Sequence, residues 1–451
     1  MTHSVTTERP SLSPAQVFEA ARLREEANSR LLMTFVTTGL IFMVFPGTFL
    51  GVRNLLQISG RESVSSVSPD WLQAHGHAQV FGWVGSFILG IGFYSIPRMR
   101  GGLNFSHTGG LLCWAMWTSG VSLRWAATVT LWEWKGLLPV SACLELAAFM
   151  IFFRVVSQHR PEAAGRPKLE PWIWVVISAS MGLLLVLLTN LAGCLYLAFR
   201  GTTPALPHLF DQRFLMLMTW GFLVLFVWSF SAKWLTVFLG LKPLRSNLLF
   251  AAVFINLAGL ILSVSGWLCF GSWLLVVGVV TVIAAIRLFE PAEREAKIRG
   301  VHGSFPFFVR MSYAWLLTGA ALGVAAVRWD ASGGIWGASR HALTVGFVSL
   351  MILCVGQRIL PAFSGMRMLW STKLMFASLL LVALGCALRV SCEILACQEY
   401  AAWAWSVLPA SAFCELVGLT IFAINILGTF IFEPSHSQRQ TTMAAGPIKI
   451  S

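Results

Sequence analysis

Histidine stands at the mouth of a membrane-length apolar run in three places: Gln73-Ala74-His75-Gly76-His77-Ala78, Pro207-His208-Leu209 and Arg340-His341-Ala342. Ionisable groups at membrane depth are rare and mark functional sites. Imidazoles from separate helices converging on one point are what a metal ion or a haem iron needs. Two carboxylates, Glu145 and Glu415, also lie inside apolar runs. There a carboxylate must be protonated, paired or beside water, and so is a candidate for a proton route; the plainer alternative is a packing hydrogen bond between helices.

The first and third histidine segments are copies. Residues 77–101 (HAQVFGWVGSFILGIGFYSIPRMRG) and 341–365 (HALTVGFVSLMILCVGQRILPAFSG) align without a gap, sharing His-Ala, Gly82 with Gly346, Gly92 with Gly356, and Pro97 with Pro361. Leu138-Pro139-Val140-Ser141-Ala142-Cys143-Leu144-Glu145 returns as Leu408-Pro409-Ala410-Ser411-Ala412-Phe413-Cys414-Glu415. Two matches in the same order mark an internal repeat, as in many membrane folds. His208 falls almost midway between His77 and His341, which suggests a third block.

The elements that must position these residues are membrane helices. The chain is 57% hydrophobic and 11% charged, against roughly 25% charged in soluble proteins. The fold class is therefore all-α and polytopic, with twelve spans in residues 31–432, grouped in fours as 31–157, 171–287 and 308–432. Residues 1–30 read as a polar segment without a secretion signal, carrying a short amphipathic helix with Pro14 at its first position. Residues 433–451 read as a disordered tail. Lys and Arg gather in the even-numbered connections and the N-terminal segment, which places both termini in the cytoplasm and the three histidines at the outer ends of spans two, six and ten. The same rule accounts for the net charge of +13, so a nucleic-acid partner is not needed. The partner that composition implies is the lipid bilayer. Nine cysteines without a CxxC pair read as core filler.

The stretches HGHAQVFGWVGSFILGIGFYSIPRMRG and RHALTVGFVSLMILCVGQRILPAFSG resemble the NnrS family, bacterial inner-membrane proteins with twelve spans, haem and copper, linked to nitric oxide stress. More distantly the chain is similar to subunit I of haem-copper oxidases and nitric oxide reductases. The resemblance implies a haem, of b type, held by His77 of span two and His341 of span ten. Gly82, Gly85 and Gly346 would thin the helix faces beside it. Arg124, Arg340 and Arg389, on the histidine side, could pair with its propionates, though an arginine near a span end also serves simply by snorkelling.

His75 lies two positions before His77, roughly 200° away on a helix, so it faces another partner or precedes the helix. With His208 it could hold copper, although two ligands are few. The chain departs from the oxidases in lacking a histidine pair on span seven and a second histidine on span ten, which puts a dioxygen-reducing centre in doubt. The resemblance thus implies a haem- and copper-binding protein of the nitric oxide response, with nitric oxide as ligand. The alternatives are a divergent oxidoreductase subunit fed by quinol or cytochrome c, and a secondary transporter. Whether the chain is an enzyme stays open at this stage.

Overall fold

In a computed structural model, residues 13–99, 106–157, 169–434 and 436 are described. Twelve long helices follow in order: α1 (Pro14–Phe42, continued by a π segment Met43–Phe49 into Leu50–Arg61), α2 (Pro69–His77, π segment Ala78–Gly85, then Ser86–Met99), α3 (His107–Thr130), α4 (Trp134–Ser157), α5 (Pro171–Arg200), α6 (His208–Met216, π segment Leu217–Leu223, then Val224–Phe238), α7 (Ser246–Val264), α8 (Leu268–Ile286), α9 (Phe305–Trp329), α10 (Gly334–His341, π segment Ala342–Ser349, then Leu350–Phe363), α11 (Thr372–Cys397) and α12 (Trp403–Phe432). Eleven are long and apolar enough to cross a membrane; α3, interrupted by Arg124, completes the twelve.

The expected amphipathic helix begins where its sequence says. Ser13 accepts a hydrogen bond from the Gln16 backbone and receives the reciprocal one, with Pro14 at the first helical position. It does not stop before the membrane, however: α1 runs on unbroken into the first span, because no glycine or proline interrupts residues 15–38. The expected disordered tail lies outside the described residues apart from its first positions.

The fours of helices share one plan. In each, the first helix packs on the second, and the third and fourth form a tight hairpin: α3 with α4, α7 with α8, α11 with α12. Contacts of α4 with α5, α8 with α9 and α12 with α1 close the ring. Inside it stand the second helices, whose apolar windows are 83% (α2) and 72% (α6 and α10) buried, against 33–56% for the other spans. Lipid offers a helix as apolar a surface as its neighbours do, so close approach rather than hydrophobicity holds such hairpins. Gly120 meets Ser141 and Glu145, Gly259 meets Gly271, and Gly385 meets Ser411 and Glu415, each where a side chain would leave no room.

α2, α6 and α10 are kinked alike: a short helix, a π segment, a longer helix. Single π turns are often found at functional sites. The fifth residue of each π segment is glycine, Gly82, Gly221 and Gly346, and at each a neighbouring helix crowds in. This register corrects the midpoint reading of His208. The residue before the π segment is His77 in α2, His341 in α10 and Met216 in α6, whereas His208 opens α6 two turns earlier.

A close helix approach lies here as well. A Cβ on Gly182 of α5 would sit 1.8 Å from the Gly221 carbonyl oxygen of α6, a backbone atom that cannot swing aside. Gly182→Ala is therefore expected to destabilise the purified protein by about 1–3 kcal/mol, the usual cost of overpacking. Gly136→Ala, with nothing within 4 Å, serves as its control. Equal melting temperatures for the two variants would rule out this contact.

Candidate functional site

The short first sections of α2 and α10 end on His77 and His341, and the π segments that follow rotate the later residues relative to these rings. His75 and His77 both belong to the short helix of α2, so neither precedes it. They face different partners, as their angular separation requires. His77 Nε2 lies 2.7 Å from Glu145 Oε1, with both side chains buried, and its ring stacks on Phe81 at 4.4 Å. The second Glu145 oxygen accepts from Asn190 Nδ2 at 3.1 Å. Arg124 is buried behind them, its Nη1 2.7 Å from Cys194 Sγ.

His75 Nδ1 is 2.9 Å from the Gly47 carbonyl oxygen. A carbonyl only accepts, so Nδ1 carries the proton and Nε2 keeps its lone pair. The ring lies flat against the π segment of α1 and the turn after it: a Cβ on Gly51 would stand 2.6 Å from His75 Cε1. His341 is arranged alike, Nδ1 2.9 Å from the Gly337 carbonyl oxygen and 3.4 Å from Glu393 Oε2, an ion-pair distance. Both of these neighbours are acceptors, so here too Nε2 is the free lone pair. Among the described residues neither Nε2 has a hydrogen-bond partner. His341 and Arg389 are both electrostatic neighbours of His75, and of Glu415 as well.

One cavity of about 1050 Å³ gathers these groups, at the upper end of the range for ligand pockets. His75, His77, His208, His341, Arg124, Arg340, Arg389 and Glu415 line it. Glu145 stands one layer behind, through His77. His208 is exposed at the cavity's rim. Arg340 hydrogen-bonds Gln212 of α6, tying the mouths of α10 and α6. Sequence reasoning missed three members: Asp211, Glu393 and Gly51. Glu393 follows Arg389 by one helical turn and pairs with it at 3.3 Å, a spacing visible in the sequence. Gly51 carries no such signal, because its role depends on α1 meeting α2.

The repeat is geometrically real at the carboxylates and chemically unequal. Gly120 presses on Glu145 and Gly385 on Glu415 in the same way, with Cβ-to-Cγ approaches of 2.8 and 2.6 Å. Glu145 is fully engaged, while Glu415 Oε1 is buried without a partner among the described residues. Arg389 Nε and Nη1 are likewise buried and unpartnered.

A chain of a solved haem-copper terminal oxidase dimer superposes with a TM-score of 0.56 over 91% of this chain and 85% of that chain, at 10% identity. This chain has the haem-copper oxidase fold. At that identity the likeness concerns the fold alone. A family model described as a domain of unknown function, DUF8744, matches residues 213–427. No curated protein matches the chain.

The oxidase fold implies haem and copper, and the residues present answer differently to each. For haem they fit: two imidazoles each offer a free Nε2 while a backbone carbonyl fixes Nδ1–H, the orienting arrangement that iron-ligating histidines use. Four arginines (Arg124, Arg213, Arg340, Arg389) against three acidic residues (Asp211, Glu393, Glu415) line the same cavity, and the unpartnered Arg389 nitrogens suit a carboxylate. For copper they fit poorly. Among the described residues no three His, Cys, Asp or Glu side chains converge as a metal site, so His75 and His208 gain no third ligand of these types.

Proposed function

We propose that this chain is a haem-binding membrane protein in which His75 of α2 and His341 of α10 hold the haem, and that a small diatomic ligand, as the NnrS resemblance implies, would bind by taking the place of one of the two imidazoles. The observation that carries this reading is the matched pair of free Nε2 atoms in one cavity, each opposite a carbonyl-bound Nδ1. The bound group supplies electron transfer and diatomic-ligand binding. The chain's own residues orient it: Gly47 and Gly337 fix the two ring tautomers, Arg389, Arg340 and Arg124 meet its acidic edge, and Glu145 with Asn190 holds His77 aside. The ligand is nitric oxide and the site lies in a bacterial inner membrane.

The second reading, an oxidoreductase subunit fed by quinol or cytochrome c, draws support from the fold match. An optical spectrum separates the two. The purified, dithionite-reduced protein is expected to show the sharp α and β bands of a six-coordinate haem and to change on adding nitric oxide, with no cyanide-sensitive oxygen uptake from quinol or cytochrome c. A colourless sample from haem-replete cells would sink both readings and leave the transporter alternative. Robust oxygen turnover would favour the second.

A further inference from the structure

Beyond the histidine cavity, a separate set of polar atoms lies deeper between α6, α9 and α10. Trp228 and Ser231 of α6 and Tyr313 of α9 are almost completely buried, and Trp228 Nε1, Ser231 Oγ and Tyr313 Oη each lack a hydrogen-bond partner among the described residues. Ser231 is the polar neighbour of the Tyr313 hydroxyl, but the two do not reach hydrogen-bond geometry. Further along, Arg358 of α10 lays its guanidinium over Phe238 at 4.4 Å and Phe305 at 5.7 Å, and its Nε and Nη1 are also shielded and unpartnered.

These atoms are ordered along the helix axes. Leu223 of α6, Gly319 and Ala320 of α9 and Ser349 of α10 line the cavity. At about 1.5 Å per residue, Trp228 lies roughly 8 Å beyond that lining, Tyr313 about 9 Å, Ser231 about 12 Å and Arg358 about 14 Å. Among the described residues, five buried polar atoms without partners gather on three touching helices, and each needs a source of hydrogen bonds. Apolar neighbours such as Phe347, whose ring meets Tyr313 edge-on at 5.2 Å, cannot supply the missing bonds. Water can, since a buried water commonly bridges two to four such groups.

We propose that α6, α9 and α10 enclose a file of ordered waters running from Arg358 past Ser231, Tyr313 and Trp228 to the histidine cavity. Hydroxyl groups both donate and accept, so Ser231 and Tyr313 can pass a proton along the file without changing net charge. The file gives the cavity a proton supply from the end of the bundle opposite the histidines. It does not depend on the haem reading, because the waters are required by the polar atoms whether or not the cavity is loaded.

X-ray radiolytic footprinting of the full-length protein in lipid nanodiscs tests this, since hydroxyl radicals formed from bound water oxidise buried side chains beside it. Trp228 and Tyr313 are expected to label at least tenfold faster than Trp117, which is equally buried but has its indole N–H bonded to the Phe81 carbonyl. Tyr313→Phe combined with Ser231→Ala is expected to slow Trp228 labelling at least threefold, with the melting temperature checked in parallel. Labelling of Trp228 and Tyr313 no faster than Trp117 in the unaltered protein would mean a dry core and overturn the proposal. Fast Trp228 labelling that the double variant leaves unchanged would overturn the role of the two hydroxyls.

Discussion

His75→Ala and His341→Ala are each expected to remove at least nine-tenths of the bound haem while the protein stays folded in the membrane, whereas His77→Ala retains most of it. Haem per protein, from the pyridine haemochrome of the purified variants, is the measurement. The asymmetry rests on ring tautomers: His75 and His341 each present Nε2 to the cavity, while His77 spends Nε2 on Glu145. A haem held by these two imidazoles would be lost with either of them, so each substitution is decisive. Loss of haem on removing His77, with His75→Ala unaffected, would return the ligand role to His77, the residue that the sequence repeat favours.

Gly51→Val should do nearly as much damage without touching a ligand. Its Cβ would fall 2.6 Å from His75 Cε1 and 2.9 Å from Nδ1, so the ring must leave its place and break the bond to the Gly47 carbonyl. Haem content is expected to fall at least fivefold. Gly76→Ala, beside His75 in sequence but with nothing within 4 Å of its Cβ, should bind haem normally. If Gly51→Val kept full haem with an unshifted spectrum, His75 would have no part in the site. A fall in haem with an unchanged melting temperature separates ring displacement from general unfolding.

The NnrS resemblance and the oxidase likeness bear on different parts of the problem. The fold match fixes the ring of twelve helices but says little about chemistry at 10% identity. Nitric oxide enters only through the resemblance of the stretches around His77 and His341 to the NnrS family, and belongs to the proposal. The two meet at the same cavity, where the proposed ligands differ from the first expectation by one histidine. That shift matters for α2: it makes His77 and Glu145 a buried pair that positions the helix rather than a member of the iron site.

The sequence by itself determined the class, the membrane-length spans and the repeat, and it named the histidines and three of the arginines that line the cavity. Apolar runs of membrane length, duplicated segments and costly intramembrane charges are local signals, and lipid leaves the backbone little choice but helix. It did not determine which imidazole nitrogen is free, because that depends on acceptors far away in the chain: Gly47 for His75 and Glu145 for His77. Nor did it set the register of His208, although that residue does open the sixth helix as the sequence indicates. Even spacing suggested a third matching histidine, whereas the π segments align Gly221 with Gly82 and Gly346 and so put Met216 in that position. A π turn adds a residue without any strong mark in the sequence, and only the packing of neighbouring helices against those three glycines reveals it. Glu393, Gly51 and the polar file through Trp228, Ser231 and Tyr313 belong to the same class. Their meaning lies in which helices touch, and in a membrane that choice is made by close fit between small residues.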